Sequence, residues 1–326
     1  MTSLYPLLFR PNLRETVWGG HRLEPLKGIP VSPRPIGESW EVSALPSSES
    51  VVADGALAGQ TLSALTTAYG AALLGGRVAA SGGQFPLLVK FIDAASDLSI
   101  QVHPNDTLAR QRHGTPGKTE MWYVMAAAPG ASLLLGLKEK LTPHELRRRV
   151  AKGVITDSLA RIEVHAGDIF YIPAGRIHAL CSGIMVCEIQ QSSDVTYRLF
   201  DYHRLGLDGL PRQLHVEESM ETIDYRVLQD YRTHYTPVEE GITPLVACDY
   251  FEVSLLTTRH TLHCDLRTKD SFVILSNVEG SCRLTAEGHS LVLHQGQSCL
   301  VPACMADFQV DAIDGRRLKS ILSCAL

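Results

Sequence analysis

The sequence predicts a mainly β protein: two jelly-roll β-barrel modules with a small helical insertion. Three observations carry this. Apolar runs are short, rich in β-branched and aromatic residues, and punctuated by Gly, Pro, Asn or Asp. Helical periodicity is scarce. A pattern also recurs: GDIFYIPAG from Gly167 and GQSCLVPAC from Gly296 both set a glycine six residues before a proline around an apolar strand. Each follows a strand and a glycine turn, MWYVMAAAPGASLLL and FVILSNVEGSCRLTA, as two related modules would.

In chain order, TLSALTTAYGAALL over 61–74 reads as a helix, and FPLLVKFID, LSIQVHP, EMWYVM and ASLLLGL read as strands. A helical insert is expected near 141–160. Thr142 can cap it, Pro143 suits its first turn, and Glu145 can close a capping box. DIFYIPAG is a strand, and QLHVEESMETI over 213–223 a further helix. The polar, turn-rich stretch 230–244 reads as a linker, dividing the chain into a metal-binding module over 1–235 and a metal-free β module over 236–326. FEVSLLTT, SFVILSNV, SLVLHQG and SCLVPA supply the strands of the second module.

The chain has 326 residues, 30 Lys and Arg against 35 Asp and Glu, and a formal net charge of −5. That balance argues against nucleic-acid or anionic-membrane partners. The N-terminal MTSLYPLLFRPN lacks the layout of a secretory signal, and no apolar run reaches transmembrane length. Eight cysteines without a CxxC pair read as reduced thiols. A cytoplasmic location follows, with the assembly open between monomer and homodimer.

The chemistry concentrates in a few segments. Gly167-Asp-Ile-Phe-Tyr-Ile-Pro173-Ala-Gly175-Arg-Ile-His178 has the glycine, proline, glycine and histidine spacing of the second cupin signature, with His178 turned into the barrel mouth. Upstream, Gln101 and His103 lie two apart on a strand and so share a face. Glu120, before MWYVM, adds a carboxylate. Gln101, His103, Glu120 and His178 make a nitrogen–oxygen set suited to one divalent ion with an open position. Two histidines and a carboxylate also suit non-heme iron, so an oxygenase remains an alternative at this stage. The second module has no equivalent set, and Asp307 stands where His178 would.

Together LSIQVHPND, GKTEMWYV, GDIFYIPAGRIHAL and DVTYRLFD resemble the metal-site and catalytic segments of the type I mannose-6-phosphate isomerases. LLFRPNLRETVWGGHRL and GESWEVS resemble the short bacterial form of that family. The resemblance is good over about residues 5–205 and looser beyond. It implies a cupin-type fold and one zinc ion per chain, held by Gln101, His103, Glu120 and His178. It implies a sugar-phosphate substrate interconverted between mannose 6-phosphate and fructose 6-phosphate through an enediol. It also implies an active-site Arg198, with Ser99 and Lys118 facing the substrate and Glu188 in the cavity.

Such chemistry needs a group to acidify a C–H beside a carbonyl and a base to move its proton. Lys118 and Glu188 both stand as candidate bases, and the pKa of Lys118 is expected to fall beside a metal and Arg198. Arg198 could stabilise the enediolate, hold phosphate, or form an ion pair with Asp194 or Asp201. A non-catalytic sugar-binding cupin is the remaining alternative. No P-loop, GxGxxG or GxSxG is present.

Overall fold

The computed structural model describes residues 2–313 and 315–326, which form a mainly β structure of four antiparallel sheets. The central six-stranded sheet has the order Leu13–Gly20, Ile36–Val42, Leu87–Ala94, Ile184–Gln191, Glu120–Ala127 and Ile169–Ile172. A five-stranded sheet faces it, ordered Tyr197–Phe200, Ile100–Val102, His178–Leu180, Ser132–Leu137 and Leu159–Glu163. The other two sheets, of six and four strands, are built almost wholly from residues beyond 240. Among the described residues the ladders remain four separate sheets, and none closes into a ring of paired strands.

Side-chain alternation assigns the faces. In the central sheet Phe91, Tyr123 and Cys187 pack into a core shared with Phe251, Ile274 and Leu300 of the C-terminal sheets. Their neighbours Ile92, Val124 and Val186 point the opposite way, toward Leu133, Leu135 and Leu180 of the facing sheet. The central sheet is thus buried on both faces, which explains why its strands read as continuous apolar runs. A charge on such a strand must meet a partner inside the protein. The outer face of the five-stranded sheet, with Ile100, Val102, Ala179, Tyr197 and Leu199, is covered by the helices Pro143–Ala151 and Val216–Thr222.

The helix over Pro143–Ala151 starts as its sequence requires: Thr142 and Glu145 make both halves of a capping box. The apolar stretch 61–74 divides into Leu62–Tyr69 and Ala71–Leu74, because Gly70 sits at φ 48° between them. Among the described residues, three α-helices fall outside the segments that the sequence marks as helical: the short Leu23–Leu26 and Gly76–Ala80, and Asp106–His113, capped by the Asn105 side chain. The two similar segments occupy matching places: Ile169–Ile172 pairs with Glu120–Ala127, and Ser298–Val301 pairs with Val273–Glu279. The N-terminal strand Leu7–Leu8 crosses to pair with Leu300 and Cys299, at the edge of the C-terminal sheet. The described cysteines are all free thiols. No described helix is long and apolar enough to cross a membrane.

Candidate metal centre and active site

Strand parity converges the polar residues. Ile100 and Val102 face the outer core, so Gln101 between them faces inward. In register beside Gln101 lie His178 on one neighbouring strand and Arg198 on the other. From the opposing sheet, Glu120, Trp122, Glu188 and Lys90 share the parity of Val124, Val186 and Ile92 and point into the same space. Gly175, at φ 88°, donates its N–H to the His103 carbonyl and joins the two histidine-bearing segments. Lys118 donates its backbone N–H to Pro104 O, which ties it to the same turn.

His103, Glu120 and His178 are essentially inaccessible, with one potential ligand atom from each lying within 4.8 Å of the others. The Nε2 atoms of His103 and His178 stand 3.5 and 3.3 Å from the two Glu120 oxygens. His103 Nδ1 lies 3.0 Å from Val195 O, and His178 Nδ1 lies 2.8 Å from Arg176 O. A carbonyl only accepts, so each Nδ1 carries the proton and each Nε2 presents a lone pair inward. Burial pushes His178 down to about 4, and burial with the Lys118 charge pushes His103 well below its ordinary value. Both rings are therefore neutral near pH 7.

The donor set fits a divalent cation. Glu120 is fully buried, and neither of its carboxylate oxygens has an aligned hydrogen-bond donor. Its one close cation is Lys118 Nζ, 2.9 Å from Oε2. Lys118 Nζ also reaches His103 Nε2 at 3.1 Å, and Gln101 Nε2 reaches His178 Nε2 at 3.3 Å. An ammonium and an amide thus occupy the lone pairs that a metal would take. The surrounding charges point the same way. Lys118 and Lys90 face three carboxylates, Glu120, Glu188 and Glu38, leaving the cluster one positive charge short. Burial raises the Glu120 carboxyl to about 8, so without a further cation it tends to hold a proton. Nδ1 bonds to carbonyls are the usual support of metal-bound imidazoles.

Burial pulls the pKa of Lys118 down, but the carboxylates of Glu120 and Glu188 outweigh burial and hold it above the ordinary value. Lys118 is thus a cation among these protein groups. Glu188 is also buried, but Lys118, Lys90 and the Trp122 N–H donor, 2.8 Å from Oε1, outweigh burial and keep it ionised. Its Oε2 accepts no hydrogen bond. Ser99 is buried, with its hydroxyl 3.5 Å from Gln101 Oε1.

An open cleft of about 710 Å³ reaches this cluster, lined among others by Ser99, Gln101, Lys118, Glu188 and Arg198. Arg198 is partly buried, and its Nη1 donates to Gln213 O at 2.9 Å while its Nε has no partner. It does not form the surface ion pair that the sequence left open, because Asp201 is taken by Arg204 and Arg212. Arg176 lies over the Tyr231 ring and His165 is exposed, as structural positions would be. Sequence reasoning missed Lys90, Glu38 and Arg212 on the cleft wall, which Trp40 also lines. A signal for Lys90 existed: a single charge inside the apolar run FPLLVKFID.

This is a buried His–Glu–His cluster at the foot of a cleft between two sheets, the arrangement of a cupin enzyme with a candidate metal site. Comparison with known proteins resolves the class. The model "Phosphomannose isomerase type I, catalytic domain" matches residues 7–124, and "Mannose-6-phosphate isomerase, cupin domain" matches 241–321. The mannose-6-phosphate isomerase ManA of Bacillus subtilis is 35% identical over 309 residues, covering 94% of this chain and 96% of its own. That of Streptococcus mutans is 33% identical over 308 residues, covering 94% and 95%. The crystal structure of a Bacillus subtilis mannose 6-phosphate isomerase superposes with a TM-score of 0.87 at 32% identity, covering 98% of this chain and 99% of that one. The chain belongs to the type I phosphomannose isomerase family.

Proposed function

We propose that this chain is a zinc-dependent isomerase that interconverts mannose 6-phosphate and fructose 6-phosphate. The observation that carries the reading is the buried Glu120 carboxylate, with Lys118 as its one close cation, facing two neutral imidazoles in a chain of this family. His103, Glu120 and His178 would hold the ion through Nε2, carboxylate oxygen and Nε2. Gln101 would join as a fourth ligand with its amide turned to present oxygen, an orientation set by its hydrogen bonds. Nitrogen and oxygen donors with an open position suit zinc, which supplies Lewis acidity toward a sugar oxygen.

The protein groups divide the remaining work. Glu188, ionised and with Oε2 free of hydrogen bonds, accepts the C2 proton and returns it to C1. Between these transfers O1 gains a proton and O2 loses one, so the atoms balance between aldose and ketose. Lys118, held charged, faces the substrate with Ser99 and holds the oxygen on which negative charge develops. Arg198, next to Gln101 in register, stabilises the same enediolate from the other wall.

We further propose that the strands form two jelly-roll modules dividing near residue 235, with the chemistry in the first, and that the enzyme works in the cytoplasm as a monomer or homodimer. Family membership favours isomerisation over the oxygenase and non-catalytic alternatives. A coupled assay for fructose 6-phosphate formation, with and without chelator, tests the reading. Turnover of mannose 6-phosphate that disappears on chelation is expected. Full turnover in protein free of metal would overturn it.

A further inference from the structure

The far end of the cleft carries charge that the reaction at the metal does not use. The chain leaves the strand Tyr197–Phe200, runs out as a strap over residues 201–214, and returns to the strand it left. His215 closes the strap: its N–H donates to Arg198 O at 2.7 Å, and its Nδ1 accepts the Arg198 N–H at 3.2 Å. An isolated bridge between Leu205 and Pro211 narrows the strap, and Gly206 N–H donates to Leu210 O. Asp201 anchors its base. It accepts from Arg212 Nε at 2.7 Å and Nη2 at 2.5 Å, and from Arg204 Nε at 2.9 Å. Gly206, Leu207, Asp208 and Arg212 of the strap form part of the cleft wall.

Three guanidinium groups, Arg198, Arg204 and Arg212, therefore gather around one carboxylate. Among the described residues no ion pair joins Arg198 to any carboxylate. Two other acids border this end of the cleft but are engaged elsewhere. Asp208 Oδ1 accepts the Leu210 N–H at 3.0 Å, and Asp194 lies 3.5 Å from the Ser47 hydroxyl. Burial and then the Arg212 charge pull Arg198 below its ordinary value, so the two cations act on each other. Like charges held together beside a solvent-filled cleft call for an anion, and a bidentate Asp201 bond presents the Arg212 fork in one fixed orientation.

We infer that Arg212, oriented by Asp201 on the strap, binds the phosphate of the substrate and sets the preference for a phosphorylated over a free sugar. The inference rests on the sugar-phosphate reading above and adds to it the residue that selects the phosphate. Arg198 serves the reacting end and Arg212 the distal end, so the two should separate kinetically. Contacts made equally in ground and transition state change KM and leave kcat.

The test uses the metal-loaded full-length enzyme and its Arg212→Gln, Arg212→Lys and Asp201→Asn variants. Kinetics are read on mannose 6-phosphate and on mannose. Calorimetry with mannitol 6-phosphate, which has no carbonyl and cannot turn over, reads binding independently of catalysis. Arg212→Gln should raise KM for mannose 6-phosphate and Kd for mannitol 6-phosphate by about 10- to 100-fold, the range of a lost charge-assisted contact. Its kcat, metal content and activity on mannose should stay near wild type, and Arg212→Lys should recover part of the loss. Asp201→Asn keeps the cation but loosens its orientation, and should lose part of the mannitol 6-phosphate affinity, less than Arg212→Gln. Wild-type affinity in Arg212→Gln would overturn the inference, as would an equal loss in Asp201→Asn, which would make Arg212 a strap anchor only. Absence of mannose 6-phosphate turnover in the wild type, with mannitol 6-phosphate binding intact and dependent on Arg212, would instead overturn the isomerase reading alone.

Discussion

At His103 and His178 one hydrogen bond decides the chemistry. Nδ1 is committed to a backbone carbonyl, so Nε2 is left as a ligand, and burial keeps both rings neutral. The same burial has a pH signature. Below about 6.5 an unfolded histidine takes up a proton, whereas folded His178 resists until about 4. The unfolded chain then binds more protons than the folded one, so stability of the chelated protein should rise with pH across that window and fall as pH drops through it. Denaturant melts at pH 4.5 and 6.5 would show this as a lower midpoint at the acid end, and equal midpoints would mean that the rings titrate normally. Arg198 is the sharpest single-residue test of mechanism. Arg198→Ala should lower kcat and kcat/KM together by about 10²–10³, the scale of a lost oxyanion donor. Arg198→Lys should recover only part, since an ammonium lacks the planar fork. Near-normal kcat in Arg198→Ala would return Arg198 to a role in the wall. The histidines and Glu120 were legible because the spacing of a signature motif and a two-residue strand period are local. Lys90 and Glu38 were not, because they reach the cleft through strand pairings remote in sequence, and Arg212 was not, because it lies on an irregular strap without periodicity. Among the protein groups alone, Glu120, two residues along the same segment, and Glu188, on the neighbouring strand, outweigh burial and raise the pKa of Lys118.

Among the elements, the helix Pro143–Ala151 was readable down to its cap, since a capping box is written within four residues. It covers the outer face of the sheet that bears Gln101, His178 and Arg198, packing Leu146 and Val150 against Leu134 and Leu199. Thr142→Ala should therefore cost about 1 kcal/mol of stability, the usual worth of an N-cap, and leave KM unchanged. A thermal melt and a rate measurement on one preparation would check both, and a changed KM would mean that the helix positions the site rather than supporting the sheet. The helix Asp106–His113 was not legible because Leu108 and Ala109 are its only apolar residues, too few to set a helical period. The break at Gly70 is the opposite case: an apolar run continuous in sequence is divided by a glycine at positive φ.

Across the whole molecule the central sheet joins two cores. One of its faces lines the metal cleft, and the other packs on the C-terminal sheets. The mainly β class and the recurrence of a glycine-to-proline strand were visible in the sequence. The crossing of Leu7–Leu8 to the far end of the chain was not, because a two-residue edge strand has no periodicity to read. The C-terminal sheets pack on the face of the central sheet away from the cleft, and we propose that they support it rather than form a second reaction centre. Asp307 and His294 are exposed there, so Asp307→Ala and His294→Ala should leave kcat and bound metal near wild type. A hundredfold loss of kcat with unchanged stability would reveal chemistry in that module.

The central claim is that one zinc ion at Gln101, His103, Glu120 and His178 serves the isomerisation of mannose 6-phosphate. Its most direct test titrates the chelated enzyme with zinc while bound metal and the rate of fructose 6-phosphate formation are followed together. Activity should rise in proportion to bound zinc and stop at about one equivalent per chain, as a single buried site requires. His178→Ala should bind little zinc and recover no rate. Full activity before any zinc is bound, or an undiminished equivalent retained by His178→Ala, would contradict the claim.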